Sequence, residues 1–109
     1  MPTLDEWDEG RKRRLPSGDQ LGTTLYELSH GGGIAYHFHH SREELLVVLR
    51  GTLTLRTSAG VREVDEGEVV HFPAGPDGAH GITKEGDEPV RYIMVSTLVP
   101  GDASEYPPA

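Results

Sequence analysis

Three histidines and two glutamates fall within eight residues of the stretch AYHFHHSREELL, residues 35–46. Imidazole nitrogens and carboxylate oxygens are the donors that hold a divalent transition metal when no thiolate is present. His37 and His39 are two apart, so on a strand they project to one face. The turn HSRE, residues 40–43, reverses the chain, and Glu44 opens the returning strand with its carboxylate directed back toward the two imidazoles. A hairpin can thus bring two nitrogens and one oxygen to a single point, where each must lie about 2.0–2.2 Å from the ion. A fourth ligand has to come from elsewhere, and the remaining histidines are His30, His40, His71 and His80. Of these, His80 follows the Pro/Gly turn PAGPDGA, which feeds a new strand. Nothing resembles a Ser-His-Asp arrangement, and no second carboxylate stands at a recognisable catalytic spacing.

The elements that must position these residues read as short strands. TTLYEL (23–28), IAYHFH (34–39), LLVVL (45–49), LTLRT (53–57), VREV (61–64), EVVHF (68–72), AHGITK (79–84) and VRYIMVSTLV (90–99) are separated by Gly-, Pro- and Asp-containing turns. Strands at a spacing of about ten residues predict an all-β sandwich or barrel. No segment carries a helical period and no internal repeat is present. LLVVL is apolar on both faces, Leu45, Val47 and Leu49 on one and Leu46 and Val48 on the other. A sheet wetted on one side would alternate. In so small a domain a second subunit is a natural cover, so a homodimer is expected.

Bulk properties narrow the function classes. The 109 residues make one domain's worth of chain, and the 35% hydrophobic content leaves room for polar arms outside the core. The expected division is an N-terminal arm over 1–20, a barrel over 21–99 and a polar C-terminal tail over 100–109. The absence of cysteine excludes thiolate ligands, disulfides and a cysteine nucleophile. Neither a signal peptide nor a membrane-length apolar run is visible, which makes the cytoplasm the expected compartment. A net charge of −8 argues against a nucleic-acid surface. The one basic run, RKRR at 11–14, reads as a solvated arm or as an ion-pair partner of the acidic surface. Trp7 reads as an anchor for the N-terminal arm.

Residues 31–51, GGGIAYHFHHSREELLVVLRG, resemble the first motif of the cupin superfamily: Gly31, His37, His39, Glu44 and Gly51 fall at its positions. Counting six back from Gly51 selects Glu44 over Glu43. Residues 67–80, GEVVHFPAGPDGAH, resemble the second motif through Gly67, Pro73, Gly75 and His80. The fifteen residues between, 52–66, match the shortest intermotif spacing of the family. Two departures stand out: four residues separate Gly75 from His80 where two are usual, and Lys84 occupies the position of the motif's Asn. The overall likeness is to small single-domain bacterial cupins of the conserved-barrel type.

The resemblance implies a double-stranded β-helix, or jelly-roll barrel, holding one divalent metal (Zn, Mn, Fe, Ni, Co or Cu) on His37, His39, Glu44 and His80. His40 is expected on the opposite face or in the turn, His71 beside the site or at the surface, His30 in a loop, and Glu43 in solvent. Tyr26, Tyr36 and Tyr92 are expected to pack on strands, with room for one to line the cavity. Three neutral imidazoles and one carboxylate leave about one positive charge on a divalent site, which suits an anionic small-molecule ligand. The expected function is a metal-dependent enzyme of dioxygenase, isomerase or lyase type whose substrate chelates the metal. The alternative is a non-catalytic module that binds a small molecule or senses a metal.

Overall fold

The computed structural model describes residues 12–29 and 33–107. Trp7, Arg11, His30 and Gly31, singled out above, lie outside the described residues. The described residues form ten strands: β1 Lys12–Arg14, β2 Leu21–Leu28, β3 Gly33–His39, β4 Glu44–Arg50, β5 Leu53–Thr57, β6 Gly60–Val64, β7 Val69–Phe72, β8 His80–Thr83, β9 Val90–Thr97 and β10 Ser104–Glu105. They pair antiparallel into two five-stranded sheets, ordered β1-β2-β9-β4-β7 and β10-β3-β8-β5-β6. The all-β expectation holds, and each of the eight expected strands lies within two residues of its bounds. No described helix is long and apolar enough to cross a membrane.

Two further strands lie outside these eight. β1 is cut from the basic run and pairs with β2, and β10 comes from the polar tail and pairs with β3. Both are short edge strands whose pairing rests on backbone hydrogen bonds rather than on an apolar pattern.

The inner faces change character along the strands. On β4 the inward residues run Glu44, Leu46, Val48, and on β9 their partners run Ser96, Met94, Tyr92. On β8 His80 precedes Ile82. Leu46, Val48, Leu53, Leu55, Val64, Phe72, Ile82, Val90, Tyr92 and Met94 form one buried cluster. Polar inward residues therefore gather at the end where β4 and β8 begin and β3 and β9 finish, while the other end is filled with aliphatic and aromatic side chains. Burial of that apolar end supplies the driving force that holds the polar end in place.

Gly51, between β4 and β5, has a φ of 80°, and a Cβ there would stand 2.7 Å from the Pro89 carbonyl oxygen. Only glycine turns the chain so close to its neighbour without strain. On the outer face of β4, Leu45 is exposed and Val47 and Leu49 are half-buried, whereas Leu46 and Val48 on the inner face are fully buried.

Candidate metal centre

His37 and His39 reach the site from β3. In the pairing of β3 with β8, Ile34 stands opposite Ile82 and His37 opposite His80. Three steps along β3 match two along β8, so one extra residue is bulged out between Ile34 and His37. Without that bulge the two-residue period would send Ile34 and His37 to opposite faces. Instead, Ile34 packs against the core and His37 enters the cavity.

Glu44, at the start of β4, is 8% exposed. One carboxylate oxygen, Oε2, accepts a hydrogen bond from Ser96 Oγ at 2.5 Å. The other, Oε1, faces His39 Nε2 at 3.6 Å and His80 Nε2 at 3.5 Å. Both separations are too long for a hydrogen bond. They approach the spacing of about 3.0–3.4 Å between two ligands each some 2.1 Å from a shared cation. One donor atom from each of His37, His39 and Glu44 can be chosen so that all three lie within 4.8 Å of one another. His80 stands at the edge of that trio, its ring centroid 5.0 Å from that of His37.

The wider gap before His80 has a structural use. Pro76–Gly78 form a single 3-10 turn, and the Gly78 carbonyl accepts a hydrogen bond from His80 Nδ1 at 2.8 Å. Gly75 N–H donates to the His39 carbonyl at 2.7 Å, tying the turn to β3. The extra residues thus orient His80 instead of displacing it. The imidazole stacks on Phe72 at 3.8 Å between centroids and is 1% exposed. Burial pushes its pKa below the ordinary 6.5; the Gly78 carbonyl and Glu44 oppose that shift, and the other two imidazoles reinforce it. The ring is accordingly neutral at pH 7. Lys84, at the motif's Asn position, donates to the Gly86 carbonyl and does not line the cavity.

All three histidines share one tautomer. His37 Nδ1 lies 2.7 Å from the Ala35 carbonyl oxygen, and His39 Nδ1 lies 2.8 Å from Asp102 Oδ2. Like the Gly78 carbonyl, these oxygens can only accept, so each Nδ1 carries a proton, and in the neutral ring Nε2 is the nitrogen free to bind a metal. His80 Nε2 is buried with no hydrogen-bond partner. An orphaned buried acceptor facing two more imidazoles and a carboxylate fits a divalent metal by the chemistry of the set.

Asp102 is a site residue that sequence reasoning did not find. Besides His39 it accepts the Ser41 N–H at 2.8 Å and stands 3.4 Å from Arg42 Nε. Burial acts against its charge, but the Ser41 N–H, His39 and Arg42 outweigh this and hold its carboxyl below the ordinary carboxylate range. Tyr106, also in the tail, lies over His37 with ring centroids 5.5 Å apart. The remaining candidates fall away from the cluster. His40 is exposed and meets the Phe38 ring edge-on, and His71 pairs with exposed Glu43 at 3.0 Å.

A cavity of about 690 Å³ opens onto the four residues. Tyr26 is the tyrosine of β2 that lines it, stacked on buried Tyr92 at 5.0 Å, while Tyr36 lies under the Arg56 guanidinium. Burial, and then Glu44, raise the Tyr26 pKa, with Arg14 opposing them, so the phenol keeps its proton. Lys12 and Arg14 of the basic run, both exposed, also line the cavity.

The sequence family described as the cupin domain matches residues 24–96, and the chain belongs to it. A sugar phosphate isomerase of the cupin superfamily from Silicibacter pomeroyi superposes with a TM-score of 0.80 at 27% identity, over 91% of this chain and 67% of its own. The polyketide cyclase RemF from Streptomyces resistomycificus gives 0.72 at 26% identity, over 84% of this chain and 67% of its own. A conserved protein with a double-stranded β-helix domain from Klebsiella pneumoniae gives 0.76 at 19% identity, over 94% and 88%, a likeness of fold alone. The chain therefore spans about two thirds of the length of the two enzymes it resembles. No curated protein matches it in sequence. The two sheets are those of the cupin double-stranded β-helix, as the motifs imply.

Proposed function

We propose that the chain is a metal-dependent cupin enzyme acting on a small oxygenated molecule, with one divalent transition metal (Mn, Fe, Co, Ni, Cu or Zn) held by His37, His39, Glu44 and His80. The observation that carries this reading is the common orientation: three imidazoles, each held through Nδ1 by an oxygen acceptor, share the cavity with one carboxylate. When bound, such an ion supplies Lewis acidity and open coordination positions for substrate oxygens. The chain's own residues do the rest. Ser96 fixes the Glu44 carboxylate, Asp102 fixes His39, and the protonated Tyr26 phenol offers a hydrogen bond to an oxygen in the cavity. Of three neighbours above 25% identity, one is called a sugar phosphate isomerase, a second is provisionally so called, and the third is called a polyketide cyclase, which favours isomerase-type chemistry among the enzyme classes.

A second reading, a non-catalytic small-molecule or metal-sensing module, is favoured by one observation. Among the described residues Glu44 is the only carboxylate lining the cavity, so these residues offer no second carboxylate as a general base. A homodimer, a barrel unit over 21–99 and a cytoplasmic setting belong to the same proposal. Elemental analysis of purified protein tests the metal: about one transition metal per chain is expected, with most of it lost in His39→Ala and in His80→Ala. Full metal content in both variants would remove the assignment. Glu44→Gln should weaken retention less than loss of an imidazole.

A further inference from the structure

Tyr106 is 66% exposed, yet it lines the cavity and lies over His37. A single exposed aromatic side chain is ordinary on a protein surface. What sets Tyr106 apart is how firmly its backbone is held. Gly101, with a φ of 79°, turns the chain after β9, which then crosses from the β1-β2-β9-β4-β7 sheet to the edge of β3. There the Asp102 carboxylate accepts the Ser41 N–H at 2.8 Å, and the Ala103 carbonyl accepts the His40 N–H at 2.9 Å. β10 then pairs Ser104 with His39 and Glu105 with Phe38. Residues two apart share one face of a strand, so Ser104 and Tyr106 both turn to the cavity. Pro107 follows, and the residue before a proline is confined to extended backbone. The ring is thus carried on an ordered backbone while most of its surface stays exposed. All of these tail residues lie beyond residue 96, where the match to the cupin family ends.

We propose that Tyr106 is a specificity-determining residue that stacks on the ring of a small cyclic ligand whose oxygens meet the histidine cluster. The Tyr106 and His37 ring centroids are 5.5 Å apart at a tilt of 31°. The His37 centroid in turn lies 5.1 Å from that of His39 and 5.0 Å from that of His80. A ligand with oxygens among the three imidazoles therefore brings its carbon body within reach of Tyr106. Ile34, Met94 and Leu98 add apolar surface to the same cavity, whose volume of about 690 Å³ is in the range that encloses such a molecule. An aromatic face gains from contact with a second ring beyond the area it buries, and a backbone already held in place loses little freedom on binding. The proposal rests on the metal-site reading for the ligand's oxygens, whereas the ring contact itself needs no metal.

The test is calorimetric titration of the zinc-loaded full chain with acetohydroxamate, benzohydroxamate and cyclohexanecarbohydroxamate, which share a chelating head and differ in the group it carries. At least one of the two ring-bearing compounds should bind about fivefold or more tighter than acetohydroxamate, and the tighter one tells a flat ring from a saturated one. That advantage should fall by about threefold or more in Tyr106→Ala and persist in Tyr106→Phe, with zinc content and acetohydroxamate affinity unchanged in both. No ring advantage in the wild type, an advantage that survives Tyr106→Ala, or an equal loss in Tyr106→Ala and Tyr106→Phe would each overturn the stacking. Saturation-transfer NMR of the same compounds at millimolar concentration with chelator-treated protein separates the two readings. Transfer to the ring protons that drops in Tyr106→Ala supports the stacking even if zinc fails to load, in which case only the metal reading falls. Where zinc fails to load and no such transfer is seen, both fall.

Discussion

At the scale of the residue, the centre depends on which nitrogen carries each proton. The signals visible in the sequence were the two-residue spacing of His37 and His39 and the hairpin that returns Glu44, since strand geometry converts spacing directly into a shared face. His80 was legible only through the second motif. Asp102 was not legible at all, because its partner His39 is 63 positions away and it lies in a polar segment. Fixing a ligating imidazole through its second nitrogen sets the tautomer and raises the basicity of the donor. Asp102→Asn keeps the shape but replaces a charged acceptor with a neutral one. It should weaken metal affinity by about tenfold or more, measured by competition with a chromogenic chelator. Unchanged affinity would reduce Asp102 to a tie between the tail and the β3–β4 turn.

At the scale of the element, strand alternation and turn residues located eight strands, but not the local devices that aim the side chains. The bulge between Ile34 and His37 leaves no compositional mark, because alternation alone would place Ala35 and His37 on the same face. The loop before His80 read as a departure from the motif, yet it folds into the 3-10 turn that holds the imidazole. Gly78 is tightly enclosed there: a Cβ would fall 1.7 Å from the Pro73 carbonyl oxygen. Gly78→Ala must shift the turn. A loss of about 1–3 kcal/mol is expected, read from the urea midpoint, together with reduced metal retention as the Gly78 carbonyl leaves His80. Stability and metal content both equal to wild type would show that the turn does not position the ligand. The short strands β1 and β10 escaped notice for a different reason: each is polar, and its pairing depends on a neighbouring edge that the sequence does not display locally.

At the scale of the whole molecule, the barrel is divided into an apolar end that stabilises and a polar end that carries the candidate site, and its outer surface bears on assembly. On the outer face of the β1-β2-β9-β4-β7 sheet, Leu25, Ile93, Val47 and Val69 stand in one cross-strand row. Val69 is 59% exposed, while Leu25 at the other end is fully buried. Such a row suits a second copy of the chain, as the two-sided apolar character of LLVVL suggests. Sedimentation equilibrium should give a dimer mass for the wild type and a monomer for Val47→Asp; a monomeric wild type at tens of micromolar would remove the dimer and leave the binding end untouched. That end rests on a single claim, the meeting of three imidazole nitrogens and one carboxylate oxygen at a common cation. X-ray absorption spectroscopy of zinc-loaded protein tests it most directly. A first shell of nitrogen and oxygen at about 2.0–2.2 Å is expected, with the outer-shell scattering of about three imidazole rings, one of them lost in His80→Ala. A zinc shell without imidazole scattering, or one unchanged by that substitution, would contradict it.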